Sequence, residues 1–87
     1  MLIGYSRTFK KMFKKQNVGI QNKFEKRLEL FMKDVRSPLL HTHSLQREWS
    51  GCKSINITGD IRAVFEECAD GHIEFVAIGG HSELYAT

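Results

Sequence analysis

Four histidines, one aspartate–arginine pair and two cysteines are the side chains of this 87-residue chain best suited to chemistry. They fall in four short blocks: His41-Thr42-His43-Ser44-Leu45, Trp49-Ser50-Gly51-Cys52-Lys53, Gly59-Asp60-Ile61-Arg62 and Gly79-Gly80-His81-Ser82-Glu83-Leu84-Tyr85. Histidine titrates near neutral pH and passes protons in both directions. Asp60 and Arg62 stand two apart, which on a regular strand puts both side chains on one face. An arginine so placed can hold a phosphate bidentately and balance charge that develops in a phosphoryl transition state. Metal-free RNA cleavage needs a base for the 2′-hydroxyl, an acid for the leaving 5′-oxygen and a cation for the phosphate. These residue types supply all three.

Competing chemistries find less support. His41 and His43 could share a zinc ion with His72 or His81, but the H-x-H spacing has no cysteine or carboxylate in register, so no metal site is expected. For any single histidine the ordinary alternative is an exposed loop residue without function. Neither Gly-x-Ser-x-Gly nor a Cys/His signature occurs, which argues against a serine or cysteine nucleophile. No phosphate-cradling glycine loop is present, and no cofactor is expected. Cys52 and Cys68 are isolated in sequence and read as buried free thiols rather than a disulfide.

The elements that must carry these blocks follow from the pattern of apolar residues. With 41% hydrophobic and 26% charged residues, the chain has the composition of a globular protein. Its length suits one domain, 1–87, with a single core between two layers. No apolar stretch approaches the roughly 20 residues of a membrane helix. Met1 to Tyr5 is too short for the apolar region of a signal peptide, so a cytoplasmic protein with no membrane partner is expected.

Residues 2–5 suit a first strand, and Ser6 suits a helix cap. Phe9, Met12 and Phe13 then share one helical face, with Lys10, Lys11, Lys14 and Lys15 on the other. Asn17-Val18-Gly19 reads as a break. Ile20, Phe24, Leu28, Phe31 and Val35 recur at helical intervals, up to the stop at Arg36-Ser37-Pro38. Beyond Cys52 the period shortens to two. Strands are expected at 54–58, 61–67 and 73–78, with turns at Gly59-Asp60 and Ala69-Asp70-Gly71, and Leu84-Tyr85 as a last strand or tail. The fold class is therefore α+β: a short N-terminal strand, two amphipathic helices, then an antiparallel sheet of three or four strands with the helices on one face. Phe9, Phe13, Phe24, Leu28, Phe31, Ile57, Val64, Phe75 and Val76 are expected to form one core.

Charge divides the chain. Residues 1–36 hold ten Lys/Arg against three acidic residues, a net +7; residues 37–87 hold three against seven, a net −4. A basic half suits a polyanion or an acidic protein partner, and equally a pair of solvated helix faces.

The run from His43 through Trp49, Gly51 and Asp60 to Arg62, with Gly79-Gly80-His81-Ser82-Glu83-Leu84-Tyr85, resembles the RelE/ParE toxin superfamily. It is most similar to the YafQ-like branch of type II toxin–antitoxin systems. Those toxins show His-x-Leu-x-x-x-Trp-x-Gly, an aspartate hairpin and a Gly-x-His-x-x-Leu-aromatic ending. The three ordered blocks span about the last half of the chain; the two basic helices match the family layout without a specific motif.

The resemblance implies a RelE-like microbial RNase fold and a ribosome-dependent mRNA endoribonuclease held inactive by a cognate antitoxin. The expected partners are that antitoxin, the ribosome and mRNA, with operator DNA reached only through the antitoxin. By position, His43, Asp60 and His81 match functional residues of the branch. Arg62 matches an arginine used against the scissile phosphate, Lys53 lies near basic strand positions, and Tyr85 falls at the terminal aromatic. Lys10, Lys11, Lys14 and Lys15 are expected to meet ribosomal RNA phosphates. Asn56 stands where the branch often has a further histidine, and Ile61 where it often has an aromatic. The alternative is a protein of the same fold without nuclease activity, either a gyrase-directed toxin of the ParE type or a degenerate binder, neither of which needs the His43, Asp60, Arg62, His81 set.

Overall fold

The structure is a computed structural model and describes residues 1–85. Its chain order is β1 (Ile3–Tyr5), α1 (Arg7–Lys15), α2 (Val18–Lys33), a 3-10 turn (Pro38–Leu40), β2 (His43–Ser44), a second 3-10 turn (Arg47–Trp49), β3 (Lys53–Asn56), β4 (Arg62–Glu67), β5 (Ile73–Gly79) and α3 (His81–Leu84). The five strands form one sheet in the order β1-β5-β4-β3-β2. Among the described residues no helix is long and apolar enough to cross a membrane.

Both long helices begin at side chains that satisfy orphan amides of the first turn. Ser6 Oγ accepts from the Phe9 N–H at 3.0 Å, and Asn17 Oδ1 accepts from the Ile20 N–H at 2.9 Å. Asn17-Val18-Gly19 is therefore a helix start rather than only a break. At its other end α2 stops three residues before the expected Arg36-Ser37 boundary. The Asp34 carboxylate accepts from the Arg36 N–H at 3.1 Å, a local bond that competes with continuation of the helix. Val35 consequently leaves the apolar stripe and is 42% exposed.

Six phenylalanines and Tyr5 form a connected aromatic core between the helices and one sheet face. Phe31 stacks edge-on to Phe65 at 5.1 Å between ring centres, Phe24 to Phe75 at 5.3 Å, and Phe13 to Phe24 at 5.6 Å. Ile55, Ile57, Ala63, Ile73 and Ile78 complete the same cluster, with Leu28 packed against it.

Three features of the sheet differ from expectation. β1 pairs parallel to β5 (Ile3 with Ile73, Tyr5 with Phe75), so the sheet is mixed, not wholly antiparallel. A two-residue β2 adds a fifth strand, because His43 and Ser44 pair with Ser54 and Lys53. Val64 and Val76 do not join the helix-side core. Val64 lies opposite Ala77 and Phe65 lies opposite Phe75, so Val76 is an extra residue in β5. This bulge puts Val64, Val76 and Ala77 into a second apolar cluster on the far face with Leu45 and Leu84. Leu84-Tyr85 is the end of a helical turn rather than a strand, because the Glu83 carboxylate reaches back to the Gly80 N–H at 2.9 Å. Both cysteines are free but only half-buried; loss of water and the Glu66 carboxylate raise both thiol pKa values, which keeps them protonated.

At the β4–β5 turn His72 bridges two carboxylates. Its Nδ1 lies 2.6 Å from Asp70 Oδ1 and its Nε2 3.3 Å from Glu74 Oε1. Carboxylate oxygens only accept, so both bonds together require the imidazolium. Gly4 on β1 makes room for this cluster, since a Cβ there would lie 2.6 Å from Glu74 Oε1.

Two outcomes follow from this packing. Phe31→Ala should lower unfolding stability by about 3–5 kcal/mol, read from the urea midpoint. The bonds from Asp70 and then Glu74 raise the His72 pKa, so its contribution is complete below the unfolded-state pKa and is lost as pH rises through the raised value. Bonds from the His72 backbone and ring lower the Asp70 pKa, so its contribution is lost as pH falls through that lowered value. Thermal midpoints should peak between those two limits, and His72→Gln should flatten the fall on the alkaline side.

Candidate functional site

The sheet face away from α2 is covered by short segments instead of a long helix. Leu45 and Trp49 from the β2–β3 connection, and Leu84 and Tyr85 from α3, pack over Val64, Val76 and Ala77. Two hydrogen bonds hold this cover. Trp49 Nε1–H donates to the Leu84 carbonyl at 2.8 Å, and the Leu45 N–H donates to the Cys52 carbonyl at 3.0 Å. The first joins segments 35 residues apart and so ties the His43 block to the His81 block.

Between these covers lies an open groove of about 410 Å3, lined by His43, Arg47, Glu48, Arg62, His81 and Tyr85 among others. Arg62 comes from the start of β4, directly opposite Gly79 on β5 and Asn56 on β3. His81 is the first residue of α3, and its ring centre lies 4.9 Å from that of Tyr85. Gly79 is needed for this turn, because a Cβ there would lie 2.9 Å from Glu83 Cβ.

His43 carries a further constraint. Its Nδ1 lies 2.9 Å from the His41 carbonyl oxygen, which can only accept, so Nδ1 holds the proton. The neutral ring then has its lone pair on Nε2. His41 presents that carbonyl from a left-handed backbone (φ 48°).

Other expected site residues lie elsewhere. Asp60 belongs to the β3–β4 turn, not to β4, so the regular-strand argument pairing it with Arg62 fails. The Thr58 hydroxyl accepts from the Ile57–Ile61 turn's Asp60 and Ile61 amides and folds the chain before the strand begins. The Asp60 side chain is exposed and does not line the groove, although its carbonyl packs near Gly80. Lys53 pairs with Phe65 in the register, which places it on the helix side of the sheet, and its Nζ lies 2.9 Å from Glu67 Oε1. Lys10, Lys11, Lys14 and Lys15 are all exposed on α1.

Arg47 was missed. It shares the groove with Arg62, and nothing in its sequence neighbourhood distinguishes it from a surface arginine. Trp49 was visible as a motif residue, but its bond to Leu84 was not. Asn56 presents a buried Oδ1 with no hydrogen-bond partner among the described residues. Of the acidic residues of the second half, Glu48 lines the groove, and most of the others lie away from it. Glu66, Glu67, Asp70 and Glu74 gather at the opposite end of β4 and β5, with Glu66 about 13 Å along the strand from Arg62.

A family profile described as bacterial toxin of type II toxin–antitoxin system, YafQ, matches residues 1–86. The chain belongs to the YafQ family. It is a toxin of the type II toxin–antitoxin class. Among solved structures, YafQ from E. coli strain BL21(DE3) superposes with a TM-score of 0.80 at 22% identity, covering 97% of each chain. The E. coli DinJ–YafQ complex gives a TM-score of 0.75 at 22% identity, covering 97% of each chain. A YoeB/ParE toxin from Agrobacterium tumefaciens gives 0.74 at 14% identity, covering 93% of this chain and 99% of that one. These likenesses show the shared fold, with its N-terminal strand, helices and mixed sheet. No curated protein matches the chain.

Trp49→Phe should loosen α3 more than the core. The Leu84 carbonyl loses its donor, about 0.5–1.5 kcal/mol, so amide exchange at Tyr85 should accelerate by up to about tenfold while the β4 and β5 amides change little.

Proposed function

We propose that this YafQ-family toxin is a ribosome-dependent mRNA endoribonuclease that cleaves through the 2′-hydroxyl without a metal. The observation that carries the reading is the meeting of His43, His81 and Arg62 in one groove, from three separated parts of the chain. Two imidazoles and a guanidinium are the minimum set for in-line transfer to a neighbouring hydroxyl.

The His43 tautomer supplies a direction. With Nδ1–H held by the His41 carbonyl, Nε2 takes the proton of the 2′-hydroxyl as that oxygen attacks phosphorus. His81, in its protonated form, gives a proton to the departing 5′-oxygen. The products are a 2′,3′-cyclic phosphate and a free 5′-hydroxyl. Arg62 balances the charge gathering on the non-bridging oxygens, and Tyr85 offers a face on which a base can stack. Asp60 and Lys53, outside the groove, take no step. Lys10, Lys11, Lys14 and Lys15 dock the protein on ribosomal RNA through phosphates. The toxin acts in the cytoplasm and is silenced by a cognate antitoxin, as the DinJ–YafQ and YoeB–YefM complexes of its structural relatives suggest. Any contact with operator DNA runs through that antitoxin.

Expression without antitoxin tests the reading. His81→Ala and Arg62→Ala should relieve growth arrest while still folding and still binding antitoxin. Loss of the Arg62 donor should lower the cleavage rate about 10²–10³-fold. Cleavage should survive EDTA on ribosomes kept intact by polyamines. Full toxicity of both variants would sink the nuclease reading and favour a gyrase-directed toxin or a binder.

A further inference from the structure

Arg47 is the one arginine of the chain held in a left-handed backbone, with φ 58°. The Gln46 carbonyl accepts from the Trp49 N–H at 3.3 Å, so Arg47 and Glu48 are the central pair of a tight turn. Positive φ at the first central residue, without positive φ at the second, is the pattern of a turn that ordinarily uses glycine there. Any side chain strains this position, and a glycine would relieve the strain. Nothing in the turn explains why an arginine stands in it. Its side chain is exposed, and no carboxylate among the described residues lies within 4 Å of its guanidinium.

What the strained position does achieve is placement. The turn is fixed from both sides, by the Ser50 N–H donating to the Arg47 carbonyl at 3.0 Å and by the Trp49 indole bonded to Leu84. Arg47 therefore stands on a rigid wall of the groove, with Arg62 on the sheet beside it and His43 and His81 in the same lining. Two unpaired guanidiniums in one groove exceed what a single phosphate needs. Consecutive phosphates of one RNA strand would use both.

We infer that Arg47 is a substrate-binding residue that grips a backbone phosphate flanking the scissile one, so that the groove holds two successive phosphates of single-stranded RNA. This rests on the nuclease reading, and it adds a contact made equally in the ground and transition states. Such a contact lowers KM with little effect on kcat, unlike Arg62.

The test compares Arg47→Gly, Arg47→Lys and Arg62→Ala on mRNA-programmed ribosomes over a range of salt. Arg47→Gly should raise KM about 5–10-fold with kcat within about twofold, and should reduce the salt slope of kcat/KM by about 0.7, the value for one phosphate on a single strand. Its thermal midpoint should equal or exceed that of the parent, because the turn is released from strain. Arg47→Lys, which keeps the charge, should keep the salt slope and recover part of the KM. Unchanged KM and salt slope in Arg47→Gly, with Arg62→Ala still inactive, would overturn the inference and leave the nuclease reading intact. A lowered midpoint in Arg47→Gly would overturn it too, as a purely structural residue. If the parent itself does not cleave mRNA on programmed ribosomes, the nuclease reading falls and the inference with it.

Discussion

The fold turns on one extra residue, Val76, and on the serine that satisfies it. A strand of strict period two running from Phe75 would send Ala77 to the helix side and Ile78 to the other. The bulge at Val76 reverses that phase, so that Phe75 and Ile78 both enter the aromatic core while Val76 and Ala77 face away. Ser6 makes the arrangement affordable at the level of hydrogen bonds. Its N–H donates to the Phe75 carbonyl at 2.9 Å, its hydroxyl donates to the Val76 carbonyl at 3.2 Å, and the same oxygen caps α1. One side chain thus joins the end of β1, the start of α1 and the irregular point of β5.

The reversal decides where the C-terminal block emerges. β5 runs on from the bulge to Gly79, opposite Arg62, and then into α3. Because the phase has changed, Leu84 folds onto the second face, where Val64 and Ala77 wait for it. His81 is carried to the groove by that packing. The aromatic core on the helix side and the groove on the other are consequently separate structures built on one sheet. The core gathers the large rings and most of the burial. The groove has a small apolar floor, a tryptophan clamp and exposed basic groups.

Strain has the same division. The described non-glycine residues with positive φ are His41 and Arg47, and both belong to the connection between α2 and β3. One presents the carbonyl that sets the His43 tautomer, and the other lines the groove. Charge is divided as well. The carboxylates of β4 and β5 cluster at the far end of the sheet, where His72 partly neutralises them, and the groove is lined by Arg47 and Arg62 with Glu48. Net charge along the sequence gave a misleading picture of this half, because a hairpin places its two ends far apart.

The sequence by itself determined the periodic elements and the local caps. Phe9 with Phe13, the Phe24–Phe31 stripe and the alternating strands each carry their geometry within a few residues, and Ser6 needs only the three residues after it. The ordered motif blocks likewise identified the family without any structure. Tertiary structure alone decided the rest. The parallel pairing of β1 with β5, the bulge at Val76 and the bond from Trp49 to Leu84 join residues 70, 10 and 35 or so positions apart, and no local period encodes such contacts. The same holds for the groove: Asp60 is lost to a turn that Thr58 closes, and Lys53 falls on the opposite face by register. Arg47 enters through a backbone conformation its own side chain disfavours. Local propensity specifies what each segment prefers, whereas the partners of a sheet and the occupants of a groove are set by long-range packing that can override it.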